Sequence, residues 1–200
     1  MIKSFIKDMV KYVPGQIVPG IVGIVSIPVF TRLFSPGEYG NYVLVMATVG
    51  ALSIIVEWLH VSTIRFYPVY ERDKKLDEFY GSVMKLALIS ILAVSLIASG
   101  VLVVLKPRIS MNLYSLMWIG MLVFVLNSAL DIPLCFLRAK RQVSYYSAFK
   151  VWNSIAVIGF GVLLVRTFGY GVSGLLLGSV LSLSIALPFI WKRTIRTWKI

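Results

Sequence analysis

Residues 83–105 read VMKLALISILAVSLIASGVLVVL. This run contains one charged residue, Lys85, and as a helix it would extend about 35 Å at 1.5 Å per residue. The hydrocarbon core of a bilayer is about 30 Å thick, so the run is long enough to cross it. It therefore predicts a transmembrane helix.

Five similar apolar runs flank this one, separated by short polar or basic stretches. The six predicted spans are 13–33, 42–61, 83–105, 113–137, 149–165 and 172–191. The chain is 58% hydrophobic and 14% charged, whereas soluble domains are roughly 45–50% apolar and 25% charged. Lipid accepts apolar surface that a soluble core would leave in water. We predict an all-α polytopic membrane protein whose residues 1–200 form one six-helix unit.

The basic residues predict the orientation of these spans. Sixteen of the 20 Lys and Arg residues fall on the side of the membrane that holds the N-terminus. The other four are Arg32, Lys106, Arg108 and Arg166. Because short cytoplasmic loops are enriched in Lys and Arg, we expect a multi-pass protein of the cytoplasmic membrane with both termini in the cytoplasm. The basic residues form no single stripe, so no nucleic-acid partner is expected.

One segment resembles a known family. Residues 27–42 read IPVFTRLFSPGEYGNY, an apolar helix ending in Thr-Arg-Leu and followed by a Pro-Gly-Glu-Tyr-Gly turn. This pattern resembles the start of polysaccharide transporters, the oligosaccharide flippases of the multidrug/oligosaccharidyl-lipid/polysaccharide exporter superfamily. Residues 65–67, Arg-Phe-Tyr, open a charged loop expected over 65–78, and they resemble the same family, as does the loop 138–142.

The resemblance implies a fold, a substrate and partners. Members of the family have two six-helix lobes and move lipid-linked oligosaccharide or polysaccharide precursors across the membrane by alternating access. We therefore expect the chain to be the N-terminal lobe and the sequence to be a fragment. A complete protein of this size would have to pair with itself or with a second subunit.

The expected partners are membrane lipid, the lipid-linked glycan, and a C-terminal lobe or second subunit. We expect no cofactor, with coupling to an H⁺ or Na⁺ gradient. Two alternatives remain open at this point. The first is a drug or small-molecule antiporter of the same superfamily, and the second is a non-transporting scaffold subunit of glycan assembly.

Polar residues inside apolar spans are the candidates for a substrate path, because they are costly in lipid and normally face a cavity. Arg32, at the outer end of the first span, is suited to contact an anion, although it could equally snorkel to the interface. Glu57 and His60 are three residues apart and share a helix face. They are candidates for the coupling ion; the alternative is a solvated pair near the membrane edge, with Glu57 bound to a basic neighbour.

The fourth span contributes a third group of candidates. Asn127, Asp131 and Arg138 fall within about 40° of one another on a helix of 100° per residue. Such a polar stripe either lines a cavity or reflects an ion pair that fixes packing, between Asp131 and Arg138 or Lys150.

Two further expectations follow from the residue types. With one histidine and no phosphate loop or nucleophile–base set, the sequence predicts no enzyme, no catalytic residue and no metal site. Gly174, Gly178, Ser182 and Ala186 recur every four residues, a spacing that predicts close packing of the sixth helix against a neighbour.

Overall fold

The computed structural model describes the backbone of residues 2–196 and the side chains of residues 10–194. Lys199, one of the sixteen basic residues predicted to lie on the N-terminal side of the membrane, is outside this part. Within it the chain forms six α-helices, one 3₁₀ turn over Lys106–Arg108, and no strand. The helices are α1 Ile2–Leu33, α2 Pro36–Arg72, α3 Leu76–Leu105, α4 Met111–Ala139, α5 Val143–Phe168 and α6 Gly171–Arg196. All six are long and apolar enough to cross a membrane, which confirms the predicted all-α polytopic class.

The charged stretch 65–78 is not the loop that we expected. α2 continues to Arg72 and α3 begins at Leu76, so that 73–75 alone connect them. At 37 residues α2 is about 55 Å long, which exceeds even the roughly 40–45 Å of a bilayer with its headgroups. Aromatic packing explains the extension, since Tyr67 is buried and the rings of Tyr70 and Phe79 stack with centroids 4.8 Å apart.

The first connection is also shorter than predicted, because the Pro-Gly-Glu-Tyr-Gly turn was expected to separate the spans that end at 33 and begin at 42. Phe34 and Ser35 alone separate α1 from α2. The Ser35 hydroxyl accepts from the backbone N–H of Glu38, and the Glu38 carboxylate accepts from the N–H of Ser35 at 2.9 Å. This reciprocal cap satisfies two N–H groups of the first turn, and Pro36 fits the first helical position because it needs no N–H partner. The Pro-Gly pair therefore starts a helix instead of forming a loop.

α4 is the central helix of the bundle. α2 and α6 pack on it, α5 packs on α6, α1 on α5, and α3 on α2. All six residues from Ile132 to Leu137 are buried. The outer helices instead present apolar side chains outward; Leu96 and Val104 on α3 are 73% and 75% exposed. Such a surface is stable in lipid and costly in water.

The small residues of α6 pack against α5, as predicted. A Cβ atom built on Gly178 would lie 2.6 Å from the Cα of Gly161 and 3.0 Å from the carbonyl oxygen of Val157. One turn further along, the Ser182 hydroxyl donates to the Asn153 side-chain oxygen at 2.9 Å. Backbone contact and a buried hydrogen bond thus fix α6 on α5.

Candidate functional site

A polar cavity of about 220 Å³ lies between α2, α4 and α5. It is nearer the end of the bundle where α2, α4 and α6 finish, which we call the basic end because Arg72, Arg138 and Arg193 lie there. Five of the six predicted site residues line it together: Glu57, His60, Asn127, Asp131 and Arg138. Ser53, Leu134, Cys135, Tyr146 and Lys150 complete the lining.

α2 supplies one wall of the cavity. Ser53, Glu57 and His60 follow one another at about one helical turn, so the predicted shared face of Glu57 and His60 is present. The carbonyl oxygen of His60 accepts a long hydrogen bond from the Cys135 thiol, with Sγ···O at 3.5 Å. This contact joins α2 to α4 beside the cavity and keeps the two polar faces opposed.

α4 supplies the second wall, and its predicted polar stripe faces the cavity as one surface. The Asn127 amide donates to a carboxylate oxygen of Asp131 at 3.5 Å. The side chains of Lys150, His60, Glu57 and Arg138 line the same cavity as this carboxylate. Within the described part of the chain, however, no ion pair within 4.0 Å joins Asp131 to Arg138 or Lys150, nor Glu57 to a basic residue.

α5 supplies two lining residues that were not among the predicted site residues. The ring of Tyr146 lies beneath two cations, with the guanidinium carbon of Arg138 at 5.2 Å and the ammonium nitrogen of Lys150 at 5.8 Å from its centroid. Electrostatic attraction to the ring face holds both cations at the cavity. The predicted fifth span begins at 149, so Lys150 falls in its first turn and counts among the basic residues on the N-terminal side of the membrane. The helix begins at Val143, which places Lys150 two turns inside it; the Tyr146–Lys150 spacing of four was the signal available.

Arg32 lies away from this cavity. The carbonyl oxygen of Lys11 accepts from the Ser147 hydroxyl at 2.6 Å, and Ser147 adjoins Tyr146, so Lys11 marks the level of the cavity on α1. Arg32 is 21 residues further along α1, about 30 Å at 1.5 Å per residue. Its exposed side chain occupies the last turn of α1, at the end opposite the basic end.

Acidic and basic side chains both line the cavity, and no two of them form an ion pair within 4.0 Å among the described residues. Two carboxyl groups, the basic side chains of Arg138 and Lys150, and one imidazole converge on it, together with the Asn127 amide. Among the residues that the structure describes, no group of three His, Cys, Asp or Glu side chains is placed to hold a metal ion. Arginine and lysine suit anionic oxygens, while amide and hydroxyl groups suit neutral polar ligands.

The sequence model of a family described as Polysaccharide biosynthesis protein matches residues 5–199. The chain belongs to this family. The resemblance drawn from residues 27–42 is thereby confirmed, and membership gives this multi-pass membrane protein a part in transport for polysaccharide biosynthesis. Comparisons with curated proteins and with solved structures gave no match.

Proposed function

We propose that this family member flips lipid-linked oligosaccharide or polysaccharide precursors across the cytoplasmic membrane. The observation that carries the proposal is the polar cavity, which is built from membrane-spanning helices of a polysaccharide biosynthesis protein. A glycan head group cannot cross hydrocarbon without partners for its polar groups. A cavity with cations, an amide and hydroxyls supplies such partners, while the lipid tail stays outside the protein. No covalent bond is made or broken in this process.

In this mechanism the cavity residues have distinct roles. Arg138 and Lys150 contact the anionic groups of the head, and Asn127 and Ser53 hydrogen-bond to sugar hydroxyls. Glu57, His60 and Asp131 bind the coupling ion, H⁺ or Na⁺, because each can change its charge or coordinate a cation. Exchange of the ion alters the charge balance against which the head group binds.

Alternating access requires a second structural repeat. We propose that the six helices are one lobe, and that a second lobe or subunit faces α1 and α2. α1 packs mainly on α5 and only slightly on α2, which leaves this side of the lobe for a partner. With both termini in the cytoplasm, the polar cavity lies in the inner half of the membrane. Arg32 then lies at the outer end, where it contacts an anionic group of the head as the head leaves.

The test uses cells of the source organism from which the gene has been deleted, with each variant expressed at the parent's membrane level. Arg138→Gln and Lys150→Gln are each expected to lower surface polysaccharide about tenfold and to raise lipid-linked precursor inside. A hydrogen bond to a charged group contributes about 1.5–3 kcal/mol, and 1.4 kcal/mol corresponds to tenfold. Arg72→Gln is the matched control, because Arg72 also occupies the last turn of its helix but is exposed outside the cavity.

The outcomes separate the candidate functions. Parent-like polysaccharide in both cavity variants contradicts the proposal. Loss of drug resistance with intact polysaccharide identifies an antiporter instead. If the protein is instead a scaffold subunit, impairing it lowers the synthesis of the lipid-linked precursor, and the amount of precursor falls instead of accumulating.

A further inference from the structure

A second cavity lies on another face of α5, between α5 and α6 at the basic end. Its volume is about 580 Å³, and its walls are almost entirely apolar or aromatic. Phe149 and Trp152 line it from α5, and Ile185 and Phe189 line it from α6. None of these residues belongs to the polar cavity described above. The groove is open to the side, and the Phe189 ring is 71% exposed.

Arg193 closes the groove at the basic end. Its guanidinium carbon lies 4.1 Å from the centroid of the Tyr145 ring, the closest of the cation–ring contacts among the described residues. The Nε atom of Arg193 is buried and has no hydrogen-bond partner in the described part of the chain. A buried charged donor without an acceptor is unstable, so this position favours an anionic or carbonyl oxygen as its partner.

The two helices that form the groove offer no counter-ion. Neither α5 nor α6 contains an aspartate or a glutamate, whereas both contain basic residues. The cation at the end of the groove is therefore complementary to an anionic ligand. Arginine binds phosphate oxygens through two parallel N–H donors, which suits it to this role better than a lysine.

The shape of the groove matches a lipid. Ile185, Phe189 and Arg193 recur every four residues along one side of α6, and eight residues of helix extend about 12 Å. One leaflet contributes about 15 Å of the roughly 30 Å hydrocarbon core. A cation at the interface followed by an apolar groove of nearly one leaflet's depth fits a phosphate group joined to an acyl chain. Basic pockets between transmembrane helices bind acidic lipids on the same principle.

We infer that the groove between α5 and α6 binds an acidic phospholipid, with its phosphate on the Arg193 guanidinium and one acyl chain along Trp152 and Phe189. The Tyr145 ring holds the guanidinium in place from the other side. This site lies outside the proposed transport cavity. The lipid-binding inference does not depend on the flippase proposal.

The test titrates the full chain, purified in detergent, with palmitoyl-oleoyl phosphatidylglycerol and counts bound lipid by native mass spectrometry. Arg193→Gln is expected to weaken binding about tenfold, the loss of one charged contact. The lipid affinity of Arg193→Lys should lie between those of the parent and Arg193→Gln, because lysine keeps the charge but lacks the planar guanidinium. Lys192→Gln, an exposed neighbour of the same charge, is the matched control and should bind like the parent.

Two further probes separate the parts of the ligand. Diacylglycerol with the same chains lacks the phosphate, and inorganic phosphate lacks the chains; each should bind at least tenfold more weakly than the phospholipid. Equal binding by the parent and Arg193→Gln, equal losses in Arg193→Gln and Lys192→Gln, or equal affinity for diacylglycerol would overturn the inference.

A measurement on the parent protein covers the case in which a variant fails to fold. Phosphatidylglycerol with a photoreactive group in its acyl chain should label peptides 145–152 and 185–193. Labelling confined to other helices contradicts the inference. So does a dimer in the native mass spectra of the lipid-free protein that a substitution in this groove abolishes, which would identify a second copy as its occupant.

Discussion

Replacing Gly178 with alanine tests the packing that fixes α6 on α5. The added Cβ would lie 2.6 Å from the Cα of Gly161, whereas ordinary van der Waals contact begins near 3.4 Å. Since the obstacle is backbone, the helices must separate by about 1 Å. Overpacking of this kind costs about 1–3 kcal/mol, and separation also endangers the Ser182–Asn153 hydrogen bond. We expect the free energy of unfolding, measured by titrating the purified protein from mild detergent into SDS, to fall by this amount.

Gly159→Ala is the control for this experiment. Gly159 lies on α5, two residues before Gly161, and a Cβ built there meets nothing within 4 Å. Alanine forms helices better than glycine by about 1 kcal/mol in water, so this variant should be as stable as the parent or slightly more stable. Equal stability of Gly178→Ala and Gly159→Ala would refute the close approach of the two helices.

Two further predictions concern water and protons. In a Cys135→Ala background, Asn127→Cys should react with a membrane-impermeant maleimide added to the basic end, whereas Leu96→Cys, 73% exposed but facing lipid, should not; equal labelling of both would show that the cavity is dry. Burial lowers the pKa of Lys140, an effect that Glu71 partly offsets. Between this lowered pKa and the usual lysine pKa near 10.4, the unfolded chain therefore holds more protons than the folded chain. The parent should therefore gain stability relative to Lys140→Met as the pH rises toward that value, and a constant difference across pH would contradict this assignment.

Hydropathy predicted the six helices because the length of an apolar run decides whether it can span a bilayer. It did not predict where α2 ends and α3 begins. Their extension depends on ring packing between Tyr70 and Phe79, which are nine residues apart and come together after the chain has reversed. The charged residues of 65–78 favoured a loop, but the ring contact between the two helices stabilises helix over most of this stretch.

In the candidate site, too, the sequence predicted what depends on one helix alone and did not predict what depends on packing between helices. Helical periodicity placed Glu57 with His60, and Asn127 with Asp131, because residues three and four apart share a face. The meeting of these two faces with Lys150 depends on how α5 packs beside α4, and no spacing in the sequence encodes that arrangement. The stacking of Arg193 on Tyr145 likewise depends on the register of α6 against α5.

The most direct test of the central claim measures translocation itself. The protein is reconstituted in liposomes together with the second lobe or subunit proposed above, and a fluorescent lipid-linked oligosaccharide is placed in one leaflet. The rate of its appearance in the other leaflet is followed with a membrane-impermeant quencher. We predict that the double variant Arg138→Gln/Lys150→Gln slows this rate at least tenfold, while Arg72→Gln moves the lipid at the parent's rate. Equal rates for all three proteins, at equal reconstitution, would contradict a role of the polar cavity in flipping.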